Sequence, residues 1–220
     1  MKTLKFAVLL AALPLAAAAQ DPVKVDGGHY KLLVDNASVR VLKISYAPGA
    51  KSVMHSHPDA MLVPLGAAKV RFTLADGKTQ DMEVGKEIAA YTPAGTHDPT
   101  NVGTTPVDAI LVEFKAQTPG TATVPTSRPG MQVATIAESP RAVAIKTTAA
   151  PDFHEPAGSV HEYDQIVIAL GDAGMSLAVD GSAPVTKWQR GDVQFIGRGV
   201  KHESKNTSGK PVEFIIVAVK

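Results

Sequence analysis

The residues best suited to chemistry in this sequence are histidines, because the chain contains seven of them and no cysteine. Metal sites must then be built from imidazole and oxygen ligands. His55 and His57 are separated by one residue, so on a β-strand they project from the same face. A third imidazole from a neighbouring strand completes a set on one side of a metal, which leaves positions open for a ligand or water. His97 is the candidate third ligand.

Asp59 has the same parity as His55 and His57, which makes it a candidate fourth ligand if the strand continues. Pro58 interrupts that strand, however, because proline cannot donate a hydrogen bond to a neighbouring strand. The structural alternative for the whole set is a solvated His-x-His pair on a surface strand with His97 in an ordinary turn.

A second, weaker set of the same residue types lies 105 residues later, where His202 corresponds to His97. The other candidate ligands in this set are His161, Glu162 and Asp164. At the strict offset, Glu162 stands opposite His57, whereas a slip of one residue puts His161 in the place of His55. A shift of one residue turns every side chain to the other face of a strand, so the register stays open.

Three interpretations of this second set are possible. His161, His202 and a carboxylate from Glu162 or Asp164 can form a two-histidine, one-carboxylate site suited to iron, manganese or zinc. Tyr163 and His202 can instead hydrogen-bond a ligand in a pocket without metal. The third interpretation is a packed barrel with no site.

The elements that must position these residues are short β-strands, and no segment after the first twenty residues shows a long helical stripe with caps. Asp76-Gly77 and Asp180-Gly181 lie between strand-like runs as hairpin turns. The sequence therefore predicts an all-β sandwich or barrel. The predicted strands cover 39–46, 61–65, 69–74, 109–115, 165–170, 175–179, 193–196 and 213–219.

An internal repeat divides the chain. Residues 101–115 align without a gap to residues 206–220, and the same offset of 105 relates Asp59 to Asp164 and Gly66 to Gly171. The sequence thus predicts a tandem duplication. We expect an N-terminal domain over 20–116, a proline-containing connector over 117–140 and a C-terminal domain over 141–220. Asn101, at the start of the repeated segment, is expected to bond the backbone of its own turn.

These motifs resemble the cupin superfamily, whose pattern is a glycine, His-x-His, a glutamate and a glycine, followed by Gly, Pro-x-Gly, His and Asn. The first repeat matches it at Gly49, His55, His57, Gly66, Pro93, Gly95, His97 and Asn101. The second repeat matches the later half of the pattern at Gly191, Gly197, His202 and Asn206. Met61 or Leu62 replaces the glutamate, so the first site is similar to the three-histidine cupins, which include thiol and diketone dioxygenases.

The resemblance implies two tandem jelly-roll β-barrels, a bicupin, holding a divalent metal such as iron, manganese, zinc, copper or nickel. The implied function is a metalloenzyme of dioxygenase or isomerase type acting on a small oxygen-bearing molecule. A non-catalytic cupin that binds a small metabolite is the alternative. Whether the protein forms a homodimer stays open.

The first nineteen residues predict an exported protein. Lys2 and Lys5 precede an apolar run, and small residues end at Ala19, as in a secretory signal peptide. Cleavage there changes the net charge from +1 to −1, with 20 basic and 21 acidic residues left. We therefore expect a periplasmic or secreted protein with a small-molecule partner and without affinity for nucleic acid or, after cleavage, for membranes.

Overall fold

The computed structural model describes residues 20–86, 88–115 and 122–220. The predicted signal peptide, residues 1–19, lies outside this range, as do residue 116 and residues 117–121 of the predicted connector. Within the described residues, no helix is long and apolar enough to cross a bilayer.

The first half of the chain folds into a short helix and a series of strands. These are α1 (Pro22–Val25), β1 (Tyr30–Asp35), β2 (Val39–Tyr46), β3 (His55–His57), β4 (Ala60–Pro64), β5 (Ala68–Leu74), β6 (Thr79–Val84), β7 (Ala90–Thr92), β8 (Gly95–Asn101) and β9 (Val107–Phe114). The second half contains β10 (Met131–Glu138), β11 (Ala142–Ala149), β12 (His154–Ser159), β13 (Asp164–Ala169), β14 (Met175–Val179), β15 (Val193–Ile196), β16 (His202–Asn206) and β17 (Val212–Val219).

Each half is built from two antiparallel sheets. In the first half the strand orders are β1-β2-β9-β4-β7 and β3-β8-β5-β6, and in the second they are β10-β11-β17-β13-β15 and β12-β16-β14. The five-stranded sheets have equivalent strands in the same order, with β9 and β17, which carry the repeated segment, at the centre. This confirms the predicted fold class of two tandem antiparallel β-barrels of jelly-roll type.

Apolar side chains fill each barrel and also the space between the barrels. In the first barrel, Leu42 and Leu111 of the larger sheet pack on Val70 of the smaller one. On β9 the alternate residues Ile110 and Val112 point the other way and join a cluster shared with the second half, where β13 and β17 contribute. The central strands are therefore buried on both faces, which explains why they read as continuous apolar runs.

The stretch assigned to the connector contains a strand that the sequence pattern did not predict. Strand β10 pairs with β11 over its whole length, although it lies within 117–140. The pairing shifts by one residue between Thr135 and Ala137. Such a bulge breaks the alternation of apolar and polar residues by which a half-buried strand is recognised.

Candidate metal centres in the two barrels

The three histidines of the first motif meet on the smaller sheet of the first barrel. His55 and His57 lie on β3, and His97 on β8 pairs directly with His55. The ring centroids of His55 and His97 are 5.2 Å apart and those of His57 and His97 are 5.0 Å apart. Imidazoles that share a metal at about 2.1 Å from each nitrogen have centroids roughly 4.5 to 5.2 Å apart. The rings therefore lie close together, although their nitrogen atoms do not all come within 4.8 Å of one another, so the rings must turn toward a shared ion.

The hydrogen bonds of these rings prepare them as ligands. His55 Nδ1 lies 2.8 Å from the carbonyl oxygen of Val53, and His57 Nδ1 lies 2.7 Å from that of Pro58. A carbonyl can only accept, so each Nδ1 carries the proton and each Nε2 keeps its lone pair. Burial, reinforced by the two neighbouring imidazoles, lowers the pKa of His97 to about 3. Burial also lowers the pKa of His55.

Tyr30 is a residue of this site that the sequence analysis missed. Its hydroxyl lies 2.9 Å from His55 Nε2, to which it donates. Burial raises the pKa of Tyr30, so the phenol keeps its proton. Tyr30 lies on β1, in a stretch without a motif, and only the pairing of β1 with β2 brings it to the histidines.

A cavity of about 100 Å³ opens beside the three imidazoles. Its other walls are mainly apolar and come from both sheets of the barrel. They include Ile44, Tyr46, Leu62, Val70, Phe72 and Leu111. This combination of apolar walls and a few convergent polar groups is typical of a small-molecule site.

Asp59, the candidate fourth ligand, is engaged elsewhere. One carboxylate oxygen accepts a hydrogen bond of 2.8 Å from the backbone N–H of Ala94, and the other lies 3.6 Å from Arg141 of the second half. Strand β3 ends at His57, before Pro58, so the parity that linked Asp59 to the histidines is lost. Asp59 thus stabilises the loop before β8 and the contact between the barrels.

In the second barrel the structure brings together His161, His202 and a carboxylate that was not predicted, Glu155. Glu155 Oε2 is 3.1 Å from His202 Nε2, and Glu155 Oε1 is 3.3 Å from His161 Nε2. Of the described residues, these three alone form a group of possible metal ligands whose nitrogen or oxygen atoms all lie within 4.8 Å of one another.

The two carboxylates proposed from the sequence do not belong to this group. Glu162 is exposed on the surface. Asp164 accepts a hydrogen bond of 2.7 Å from the backbone N–H of Arg198, as Asp59 does from Ala94 in the first barrel. Both aspartates of the repeat therefore hold the loop that precedes the strand of the third histidine.

The strand pairing settles the register that the sequence left open. Ser159 pairs with His202, as His55 pairs with His97, so Ser159 occupies the position of His55 and His161 that of His57. The offset between the two halves is 104 residues at this point, which differs from both the strict offset and the one-residue slip given above. The second barrel thus keeps two of the three histidine positions.

The interior of the second barrel is nearly filled. Its cavity has a volume of about 20 Å³, room for a single water molecule. Arg128 donates to the Tyr163 hydroxyl and, at 3.0 Å, to Gln165 Oε1 on the wall of this cavity. Inside the barrel, this packing leaves room for little more than one water molecule.

The fold agrees with that of solved structures, among them a cupin 2 conserved barrel domain protein from Leptotrichia buccalis, with a TM-score of 0.57 at 11% identity and with 87% of this chain and 88% of that chain covered. AerE from Microcystis aeruginosa has a TM-score of 0.63 at 13% identity, with 87% of this chain and 97% of that chain covered. Salicylate 1,2-dioxygenase from Pseudaminobacter salicylatoxidans also has a TM-score of 0.63, at 9% identity, with 86% and 76% covered. A variant of oxalate decarboxylase from B. subtilis scores 0.54 at 14% identity, with 87% and 75% covered. No protein-family model and no curated protein matches the sequence.

Proposed function

From the bicupin fold of this chain, we propose that it is a metal-dependent enzyme of dioxygenase or isomerase type. Its first barrel binds a divalent metal through His55, His57 and His97 and acts on a small molecule with an oxygen donor. The observation that carries this proposal is the state of the three imidazoles. They are buried or partly buried, the Nδ1–H of two of them is fixed by carbonyl groups, and the low pKa of His97 keeps that ring neutral.

The donor set fits a divalent metal of the first transition series, for which neutral imidazole is a preferred ligand. A bound metal would act as a Lewis acid toward an oxygen atom of the ligand. For His55 to use Nε2 as a ligand atom, that nitrogen must give up the hydroxyl of Tyr30. The freed hydroxyl would then be available as a hydrogen-bond donor on the wall of the cavity, which Tyr30 lines.

The cavity supports a small substrate. Its volume of about 100 Å³ is below the roughly 150 Å³ that accommodates benzene in an engineered protein cavity. Its apolar walls exclude water and strengthen the few polar contacts inside. Two structural neighbours are named for salicylate and oxalate; salicylate is larger than benzene and exceeds this volume, whereas oxalate does not. A compact ligand with one or two oxygen atoms toward the imidazoles fits these walls.

Metal content tests the first half of the proposal. The purified protein, reconstituted separately with iron, manganese, zinc, copper and nickel, should retain metal at the first site. Replacing His57 and His97 together by Ala should remove one equivalent per chain. The matched control is His154→Ala, because His154 is exposed and pairs with Glu203 on the surface. Equal metal content in the double variant and the parent would refute the first-barrel site.

Turnover tests the second half. The metal-loaded protein is incubated with small hydroxy acids, diketones and thiols while dioxygen uptake and product formation are followed. We expect turnover with one of these classes, and its loss in the His57→Ala, His97→Ala variant. Saturable ligand binding without turnover of any of them would instead support the alternative, a non-catalytic metabolite-binding cupin.

Export is proposed as well, on the basis of the basic, apolar and small-residue order of the first nineteen residues. N-terminal sequencing of the protein from its native host should find a chain that begins at Gln20. A chain that still begins at Met1 would contradict this proposal.

A further inference from the structure

We propose that the second barrel binds its own divalent metal ion through Glu155, His161 and His202. We infer that this metal is structural and fastens β12 to β16, rather than forming a substrate site. The inference is independent of the first barrel, since it depends on other residues and another cavity.

The distances within this cluster already match a metal centre. Zinc binds imidazole nitrogen and carboxylate oxygen at about 2.0 to 2.2 Å, which places neighbouring ligand atoms of a tetrahedron about 3.3 Å apart. Glu155 Oε2 is 3.1 Å from His202 Nε2, and Glu155 Oε1 is 3.3 Å from His161 Nε2. Both imidazole nitrogens thus lie at ligand-to-ligand distance from the carboxylate, and all three ligand atoms lie within 4.8 Å of one another.

The hydrogen-bonding groups of the cluster suit a cation. His202 Nδ1 lies 3.3 Å from the carbonyl oxygen of Val200, so this nitrogen carries a proton. Against the effect of burial, Glu155 raises the pKa of His202: in the protonated ring Nε2–H donates to the carboxylate, whereas in the neutral ring two acceptors face each other. The Nε2 atom of His161 is buried and, although it lies 3.3 Å from Glu155 Oε1, makes no hydrogen bond of good geometry. A divalent cation satisfies both nitrogens and the carboxylate together, which removes the cost of burying an unpaired polar atom.

The cavity inside the barrel beside Glu155 has no room for a substrate, which favours a structural centre. Its volume of about 20 Å³ holds one water molecule, and neither histidine lines it; His161 lines a pocket that is open to the surface. Arg128, bonded to Tyr163 and Gln165, occupies the space that a substrate would need. The first barrel, by contrast, has a cavity of about 100 Å³ beside its histidines.

The three ligands come from three different segments of the second barrel. Glu155 lies on β12, His202 on β16, and His161 in the loop between β12 and β13. The pairing of β12 with β16 is interrupted between Glu155 and Ser159. An ion bound by Glu155 before this interruption and by His161 after it would link β12 to β16 there. Metal binding should therefore stabilise the second barrel.

Zinc stoichiometry tests the proposal in a His57→Ala, His97→Ala background, which removes the proposed first site. After incubation with Zn²⁺ and dialysis, this background should retain about one equivalent per chain. Adding Glu155→Gln should remove it, whereas adding Glu162→Gln, a change of the same kind on the surface, should not. A background protein without zinc, or unchanged zinc after Glu155→Gln, would overturn the second site. Neither result would bear on the first.

Thermal unfolding provides a readout that does not require the Glu155 variant to fold. At a free Zn²⁺ concentration a hundred times the dissociation constant, the melting temperature of the background protein should rise by about 5 to 10 °C. An unchanged melting temperature at saturating Zn²⁺ would refute a structural role, whatever the behaviour of the Glu155→Gln variant.

Discussion

The low pKa of His97 makes the stability of the metal-free protein sensitive to acid. The folded state holds this imidazole neutral, with a pKa of about 3, because the ring is buried beside His55 and His57. In the unfolded chain the pKa of the same imidazole is about 6.5. The unfolded state therefore binds the extra proton first as the pH falls, and stability present above about pH 6.5 is lost on the way down to about pH 3.

The size of this effect follows from the difference between the two pKa values. Each pH unit between them costs about 1.4 kcal/mol, so lowering the pH from about 7.5 to about 4.5 costs at most about 2.7 kcal/mol. His97 is only partly buried, and solvent screening reduces the expected loss to about 1.5 to 2.5 kcal/mol. A His97→Gln variant should lack this contribution.

Urea unfolding in the presence of a chelator measures the effect. The parent, His97→Gln and the surface control His154→Gln are compared at the two pH values, and the free energy of unfolding is obtained by linear extrapolation. We expect His97→Gln to lose about 2 kcal/mol less than the parent, and His154→Gln to follow the parent. Equal losses in parent and His97→Gln would refute the claim that His97 is held neutral for ligation.

Three further predictions concern stability. Asn206, which is 4% exposed, donates to two backbone carbonyls at 2.8 Å and accepts from a backbone N–H at 2.9 Å. Asn206→Ala should therefore lower the free energy of unfolding, measured in urea, by about 2 to 4 kcal/mol. Glu113→Ala removes the 2.7 Å partner of the partly buried Arg40, which keeps Asp21 at 2.9 Å, and should cost about 2 kcal/mol. Glu83→Ala on the surface should cost less than about 0.5 kcal/mol, and similar costs would contradict the buried pair. Ile166→Ala, in the core between the barrels, should lower stability by about 2 to 5 kcal/mol without splitting the unfolding transition, and two transitions would show that the barrels unfold independently.

The fold could be predicted from the sequence because the internal repeat and the apolar strand patterns both indicate two similar β-domains. Strands β9 and β17 lie at the centre of equivalent sheets, 105 residues apart at both ends. Asn101 bonds the backbone at Thr105 and Gly103, as expected for a residue that organises its own turn. The meeting of His55 and His97 on adjacent strands was also accessible, since their spacing follows a known motif.

Glu155 could not be found in the same way, because the offset between the halves changes along the strand that carries it. The backbone carbonyl of Phe153 accepts a hydrogen bond from the N–H of Asn206, as the carbonyl of Ala50 does from Asn101. Phe153 therefore corresponds to Ala50, at an offset of 103. The offset is 104 at Ser159 and 105 at Asp164. Two single-residue insertions thus hide the correspondence, and only strand pairing reveals it.

The apolar layer between the two five-stranded sheets bears on how the chain could have evolved. A single repeat on its own would expose one face of its larger sheet, and a second copy would be the natural cover for it. The present chain then corresponds to a symmetric dimer whose subunits became joined through one connector. Joining removes the requirement that both subunits carry identical residues. One half was thereby free to keep an open cavity with Tyr30 and three histidines, while the other could close around Glu155.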